Sequence, residues 1–245
     1  MTVKMRLSVD TGTEKKQGRR SAQEAKQTKR QILSVAGSLF AKLGYKRVSL
    51  RLISEQAGVS HSLLRYHFGS KEKIWQHISD HLSLHFKNYF QHIIDSLPQD
   101  LPANILLYKL MNRVLACSLH DPRAIRFLAD AVRQDKKMVN YLLDPSIHVN
   151  EVIENLMIQF KQQYPDSLLT GKTLRWQVTL YSHSASTLRP LLPHVFEQPS
   201  DDDALFAHWQ QFNLNISQQL HIKPQDIERP RCLATMIIAP PEEID

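Results

Sequence analysis

Gly58-Val59-Ser60-His61-Ser62-Leu63-Leu64-Arg65-Tyr66-His67-Phe68-Gly69-Ser70-Lys71-Glu72 reads as one short helix held between two stops. Gly58 breaks whatever precedes it, and Ser60 has the hydroxyl that caps a helix start. Leu63 and Leu64 are expected to give the helix its inward side. Gly69 stops it, and Ser70 starts the next helix at Lys71. Upstream, Ser49 is placed to cap another short helix through Glu55 to Ala57. Before that, Ile32, Leu33, Ala36, Leu39, Phe40 and Leu43 recur at three- and four-residue spacing, one apolar helix face closed by Gly44. Two short helices joined at a glycine turn form a helix-turn-helix candidate, whose second helix can enter a DNA major groove about 12 Å wide.

Charge divides the chain at the same place. Residues 1–75 hold 16 Lys/Arg against 5 Asp/Glu, and residues 76–245 hold 15 against 19, within a net charge of +7. A basic module on a mildly acidic body suits a protein that meets a polyanion with one end. The 245 residues with 42% hydrophobic content suffice for a folded core. Two distant cysteines exclude a disulfide scaffold. No apolar run approaches the roughly 20 residues that span a bilayer, and Met1 to Arg20 lacks the apolar stretch of a signal peptide, so a cytoplasmic address and no membrane partner are expected.

Six of the seven glycines lie at or before residue 69, and the first proline is Pro98. After the third helix the chain is expected to run as long helices punctuated by proline: Lys71 to about Ser96, then 103–119, 122–134, 136–143, 147–163, 172–190 and 202–221. Asp121-Pro122 and Asp144-Pro145 read as caps, and Asp201-Asp202-Asp203 places negative charge at a helix start. Alternating strand patterns are absent. The expected fold is all-α: a flexible basic arm over 1–24, a three-helix helix-turn-helix DNA-binding domain over 25–72, a larger helical body over 73–222, to which the resemblance described next assigns regulation and dimerisation, and an irregular tail over 223–245.

The quoted string resembles the TetR family of transcriptional repressors: Gly-Val-Ser, three variable residues, an aliphatic, an aromatic stretch ending in Phe, then Ser-Lys-Glu. Ile32 through Phe40, Gly44-Tyr45, Ser49 and Ile53 to Ala57 match as well, so the resemblance covers residues 27–76. It implies an all-α regulatory domain, a homodimer and double-stranded DNA as partner, with a palindromic operator. On the family pattern Lys71 holds a phosphate, Ser49 caps and reaches phosphate, and Tyr66 and His67 contact the backbone. His61, Ser62 and Leu63, beside the cap Ser60, occupy base-touching positions, and Arg51 is placed to fork onto guanine. Arg65 departs from the family's usual Tyr and offers the same contact with more charge. Lys15, Lys16, Arg19, Arg20, Lys26, Lys29 and Arg30 are expected to add phosphate or minor-groove contacts.

The resemblance also implies that the last two long helices form a four-helix dimer interface, with Trp176, Leu180, Leu205, Trp209, Phe212 and Ile216 as candidate contacts. Phe86, Tyr89, Tyr108, Met111, Phe127, Met157 and Tyr181 are candidates for a mostly apolar effector pocket, alongside a plain core role. The expected function is a sequence-specific regulator released from its operator by a small apolar effector. The alternative is a nucleoid-associated or scaffold DNA-binding protein of the same fold without an effector. His77, His81 and His85 recur every four residues, a spacing that admits a metal, but a packing role is favoured. No cofactor is expected. Gly171-Lys172-Thr173 lacks the upstream glycine and strand of a phosphate loop, and no hydrolytic motif appears, so the chain is not read as an enzyme.

Overall fold

The computed structural model describes residues 14–98, 100–134, 136–142 and 149–238, and within them every regular element is a helix or a 3-10 turn. The helices are α1 (Glu14–Leu43), α2 (Leu50–Gln56), α3 (His61–Phe68), α4 (Lys71–Asp95), α5 (Ala103–His120), α6 (Arg123–Val132), α7 (Lys136–Leu142), α8 (Val149–Gln163), α9 (Gly171–Thr187), α10 (Leu192–Val195) and α11 (Asp201–Gln219). No strand occurs among the described residues.

Local chemistry accounts for the boundaries. Ser49, Ser60, Ser70 and Ser200 each accept a hydrogen bond from the backbone N–H three residues on, the geometry that satisfies a helix's free donors. Thr170 and Thr173 close a reciprocal capping box at the start of α9. Pro122 sits just before α6 rather than in its first turn, and the Asp121 carboxylate accepts the N–H of Arg123. The cap expected at Asp144-Pro145 lies outside the described residues.

One expectation changes. Residues 14–24, expected within the flexible arm, belong to α1; residues 1–13 lie outside the described residues. Glu, Lys, Gln, Arg and Ala dominate this stretch. Such residues prolong a helix once an apolar face downstream has nucleated it. The tail, expected as irregular, contains two short 3-10 turns and packs on the helical body. Ile222 and Met236 are buried, and residues 222–238 pack along α5 and α11 through Ile222, Ile227, Leu233 and Met236.

Two apolar cores result. The first joins Ile32, Ala36 and Phe40 of α1 to Ile53, Leu64, Phe68, Ile74 and Trp75. Phe127, Ala131 and Met138, from α6 and α7, complete it, and Trp75 stacks on Phe127 with centroids 5.3 Å apart. The second core wraps α5 in α4, α8, α9, α11 and the tail. Two buried polar side chains inside it are paired: Trp209 Nε1 donates to the Asn112 carbonyl at 3.0 Å, and the Tyr108 hydroxyl donates to Asn213 Oδ1 at 2.6 Å.

Candidate nucleic-acid interface

Helix α3 is pinned from beneath and bare on top. Leu64 is fully buried and Phe68 nearly so, while His61, Ser62, Leu63, Arg65 and Tyr66 face solvent. Leu63 therefore lies on the outer face, contrary to its expected inward role: successive helix residues turn by about 100°, so only one of the adjacent leucines fits the core. Tyr66 is 83% exposed, an unusual position for an aromatic unless something covers it. His67 is half-buried and packs edge-on to Tyr66 and Phe68. The turn before α3 is braced by Gln31 of α1, whose side-chain amide donates to the Ala57 carbonyl at 2.7 Å.

Outside α2 and α3, Arg51, Ser54, Glu55, Val59 and His61 line an open hollow of about 560 Å³. Arg51 is exposed, and its Nε donates to Glu55 Oε1 at 2.8 Å, which raises the guanidinium pKa through that hydrogen bond and the carboxylate's charge. Arg51 must leave Glu55 to reach a base, and an exposed i,i+4 pair is weak enough to allow this. The oxygens of Ser60 and Ser62 lie 3.0 Å apart at the start of α3.

Lys71 departs most from expectation. Its ammonium donates to the carbonyls of Tyr45 and Val48 at 3.0 and 2.9 Å and lies 4.1 Å from the Tyr45 ring centre. Burial pushes its pKa down. The lysine ties the turn between α1 and α2 to α4, so two of its three N–H groups are unavailable to a phosphate. Lys71→Met should lower stability by about 1–2 kcal/mol through these lost contacts. The salt slope of DNA binding should fall by well under one unit, since a phosphate-holding lysine removes about one. Thermal unfolding and salt-dependent anisotropy read the two effects, and a full-unit loss of slope would return the phosphate role to Lys71.

Sequence reasoning missed Lys46 and Arg47, exposed on the 3-10 turn Tyr45–Arg47 beside α2. The Lys-Arg pair between two helices was the available signal. It also missed Asp130 of α6, whose Oδ2 accepts the Tyr45 backbone N–H at 2.7 Å. A side chain on Gly44, which has φ +80°, would meet Asp130 Oδ1 at 2.8 Å. Lys26, Lys29 and Arg30 are exposed on α1; the side chains of Lys15, Lys16, Arg19 and Arg20 lie outside the described residues.

The other candidate sets divide. Trp176 and Leu180 are exposed on α9, but Leu205, Trp209, Phe212 and Ile216 are buried in the chain's own core. The periodicity of α11 marks its apolar face without saying what covers it. Tyr89, Tyr108, Met111 and Met157 are buried in the second core, with Phe86 partly buried against it. Phe127 stacks on Trp75 in the first core and cannot share a pocket with them. Tyr181 packs on His208 and Phe212, and its oxygen accepts from Asn215 at 2.7 Å, so it joins α9 to α11. The rings of His77 and His85 pack on Phe68 and Tyr89, and among the described residues no group of three His, Cys, Asp or Glu could hold a metal ion. Nor is any described helix long and apolar enough to cross a membrane.

Residues 32–78 match the model of the bacterial regulatory proteins of the tetR family. Over 62 residues the chain is 38% identical to the HTH-type transcriptional regulator TtgR of Pseudomonas putida, 25% of this chain and 30% of that relative. The chain thus spans under a third of that relative's length. The whole fold is similar to the fatty acid degradation regulator FadR from Bacillus halodurans, with TM-score 0.62 and 11% identity over 80% of this chain and 96% of that one. It is also similar to the ketosteroid transcriptional regulator KstR2 of Mycobacterium tuberculosis, with TM-score 0.54 and 18% identity over 79% and 93%. Residues 32–78 are thus similar to the N-terminal domain of the tetR family of bacterial regulatory proteins, and the larger fold is similar to that of the solved regulators.

Proposed function

We propose that this protein is a homodimeric, sequence-specific DNA-binding transcriptional regulator, a repressor released from a palindromic operator by a small-molecule effector. The observation that carries the reading is the outer face of α3. His61, Ser62, Leu63, Arg65 and Tyr66 stand exposed on an element whose other side is locked by Leu64 and Phe68. An exposed surface of mixed hydrogen-bonding, apolar and cationic groups on a rigid short helix suits a major groove. Lys46, Arg47, Arg65 and Tyr66 flank it with phosphate-seeking groups. Ser49 and Ser60 cap the starts of α2 and α3, and His67 is half-buried against Phe68.

Trp176 and Leu180 of α9 and Leu214 of α11 are exposed apolar side chains on two neighbouring helices, which suits a second copy. A two-fold dimer doubles a site of a few base pairs, with recognition helices about 34 Å apart. Effector binding favours a dimer state with the wrong spacing and so shifts the population off DNA.

Selection of bound duplexes from a random pool by the full chain, followed by variant binding, tests the DNA reading. A two-fold symmetric consensus is expected. Arg51→Ala should relax preference at one base pair per half-site by about 1–3 kcal/mol, whereas Arg65→Ala should weaken all duplexes alike and reduce the salt slope by about one unit. A pool without a consensus, bound with little preference over random DNA, would favour non-specific architectural binding instead.

A further inference from the structure

Helix α1 is longer than the domain it serves. It runs from Glu14 to Leu43, yet its first core residue is Ile32, which is fully buried. Residues 14–31 extend about 27 Å at the 1.5 Å rise of an α-helix. They contain seven Lys/Arg against two Asp/Glu, and Ala22 and Ala25 are their only hydrophobic residues. Such a segment has no apolar stripe to bury on another protein, and it lacks the apolar face of a membrane-surface helix. What it presents is charge. At about 100° per residue, Lys15, Arg19, Lys26 and Arg30 fall within about 60° of one another around α1, with Lys29 beside them. Lys26, Lys29 and Arg30 are exposed, whereas Ala25 and Thr28, turned away from Lys26 and Arg30, are half-buried.

The same segment leaves the domain beside α3. Gln31, next to Ile32, donates its side-chain amide to the Ala57 carbonyl at 2.7 Å, in the turn that leads to the Ser60 cap of α3. In helix-turn-helix proteins the N-terminal end of the second helix is the end that meets base edges. A duplex carries one phosphate charge per about 1.7 Å of its axis, so a basic helix starting at the groove edge has phosphates within reach along its length. Width decides how it meets them. An α-helix with its side chains is about 10–12 Å across and the minor groove about 6 Å wide, so the segment fits along the backbone and not inside that groove.

We propose that residues 14–31 lie along the phosphate backbone outside each operator half-site and lengthen the contacted duplex by up to about 8 base pairs, the span of 27 Å at about 3.4 Å per pair. This rests on the DNA-binding reading above and adds to it a contact that is independent of sequence. The half-site is read by α3, and the extension holds whatever flanks it.

Fluorescence anisotropy of the full chain tests this with three duplexes: the selected consensus with flanks of about 10 base pairs, the same with scrambled flanks, and the consensus trimmed flush. The variant is Lys26→Gln/Lys29→Gln/Arg30→Gln, which keeps good helix formers at all three positions. Wild type should bind the two flanked duplexes equally and at least about tenfold more tightly than the trimmed one. In the triple variant that length dependence should shrink to about twofold, and the salt slope on flanked duplex should fall by about two to three units per protomer. Its preference for the consensus on trimmed DNA should remain, which also shows that the variant is folded. Equal wild-type affinity for flanked and trimmed duplexes, a dependence on flank sequence, or a variant that keeps the tenfold effect would overturn the proposal. So would a variant that loses its consensus preference on trimmed DNA, or wild-type chain that prefers anionic phosphatidylserine vesicles to flanked duplex. Selection that yields no consensus would instead sink the regulator reading, and the variant's salt slope on random duplex would still decide the extension's role.

Discussion

Trp209→Ala is expected to lower the stability of the chain by about 3–5 kcal/mol, the range for emptying a buried aromatic site. Trp209 is fully buried, stacks on Phe206 with centroids 6.0 Å apart, and donates its indole N–H to the Asn112 carbonyl. Truncation leaves a cavity between α5 and α11 and removes the second hydrogen bond to the Asn112 carbonyl. Trp176, of identical chemistry on the neighbouring helix, is 60% exposed. Trp176→Ala should leave the far-ultraviolet dichroism unchanged and instead raise the dimer dissociation constant about thirtyfold, since exposed tryptophans that become covered in an interface carry about 2 kcal/mol or more. Urea unfolding and analytical ultracentrifugation separate the two. Dissociation without destabilisation in Trp209→Ala would move α11's apolar face into the dimer interface.

Glu228→Ala is the second large effect, about 2–4 kcal/mol, because it leaves two part-buried cations without their counter-charge. Glu228 accepts from Lys109 at 2.8 Å and from Arg113 at 3.0 and 3.1 Å. Its backbone N–H donates to the Tyr108 hydroxyl at 2.7 Å, and its carbonyl accepts from Asn213 at 3.0 Å. One residue of the tail thus closes a polar network on the face of α5. Burial alone would push the Glu228 pKa up, but the hydrogen bonds and charges of Arg113 and Lys109 outweigh it and hold the carboxyl below its ordinary value of 4.5. A depressed carboxylate stabilises the fold above the unfolded-state value, so the contribution is present above pH 4.5 and lost as pH falls through the lower folded value. Glu228→Gln should therefore flatten the fall in stability below pH 4.5, and an unchanged acid limb would show that the pairing does not contribute. In the same network, burial pushes Tyr108 up to about 12, with the Glu228 charge adding to it.

What the sequence made legible was local. Ser49, Ser60 and Ser70 cap where their hydroxyls and the following helix formers indicated, because a cap involves only three residues of chain. The outer face of α3 follows from that register, with Leu63 the exception. What stayed illegible depends on distant partners. Lys71 turned inward because the Tyr45 and Val48 carbonyls, presented by the 3-10 turn, lie within its reach. Asp130 meets Tyr45 across 85 residues, a pairing no spacing rule anticipates. Phe127 went to the first core, and Trp209, Phe212 and Ile216 to the second, because an apolar stripe shows that a face is covered but not by which neighbour.

The account stands on α3 lying in the groove of duplex DNA, and fluorescence anisotropy of the full chain measures this most directly, with a selected duplex and a scrambled one across a salt series. Binding to the selected duplex should be at least about a thousandfold tighter, with affinity for both falling steeply as salt rises. No binding to either duplex at low salt, or equal binding to both, would contradict it.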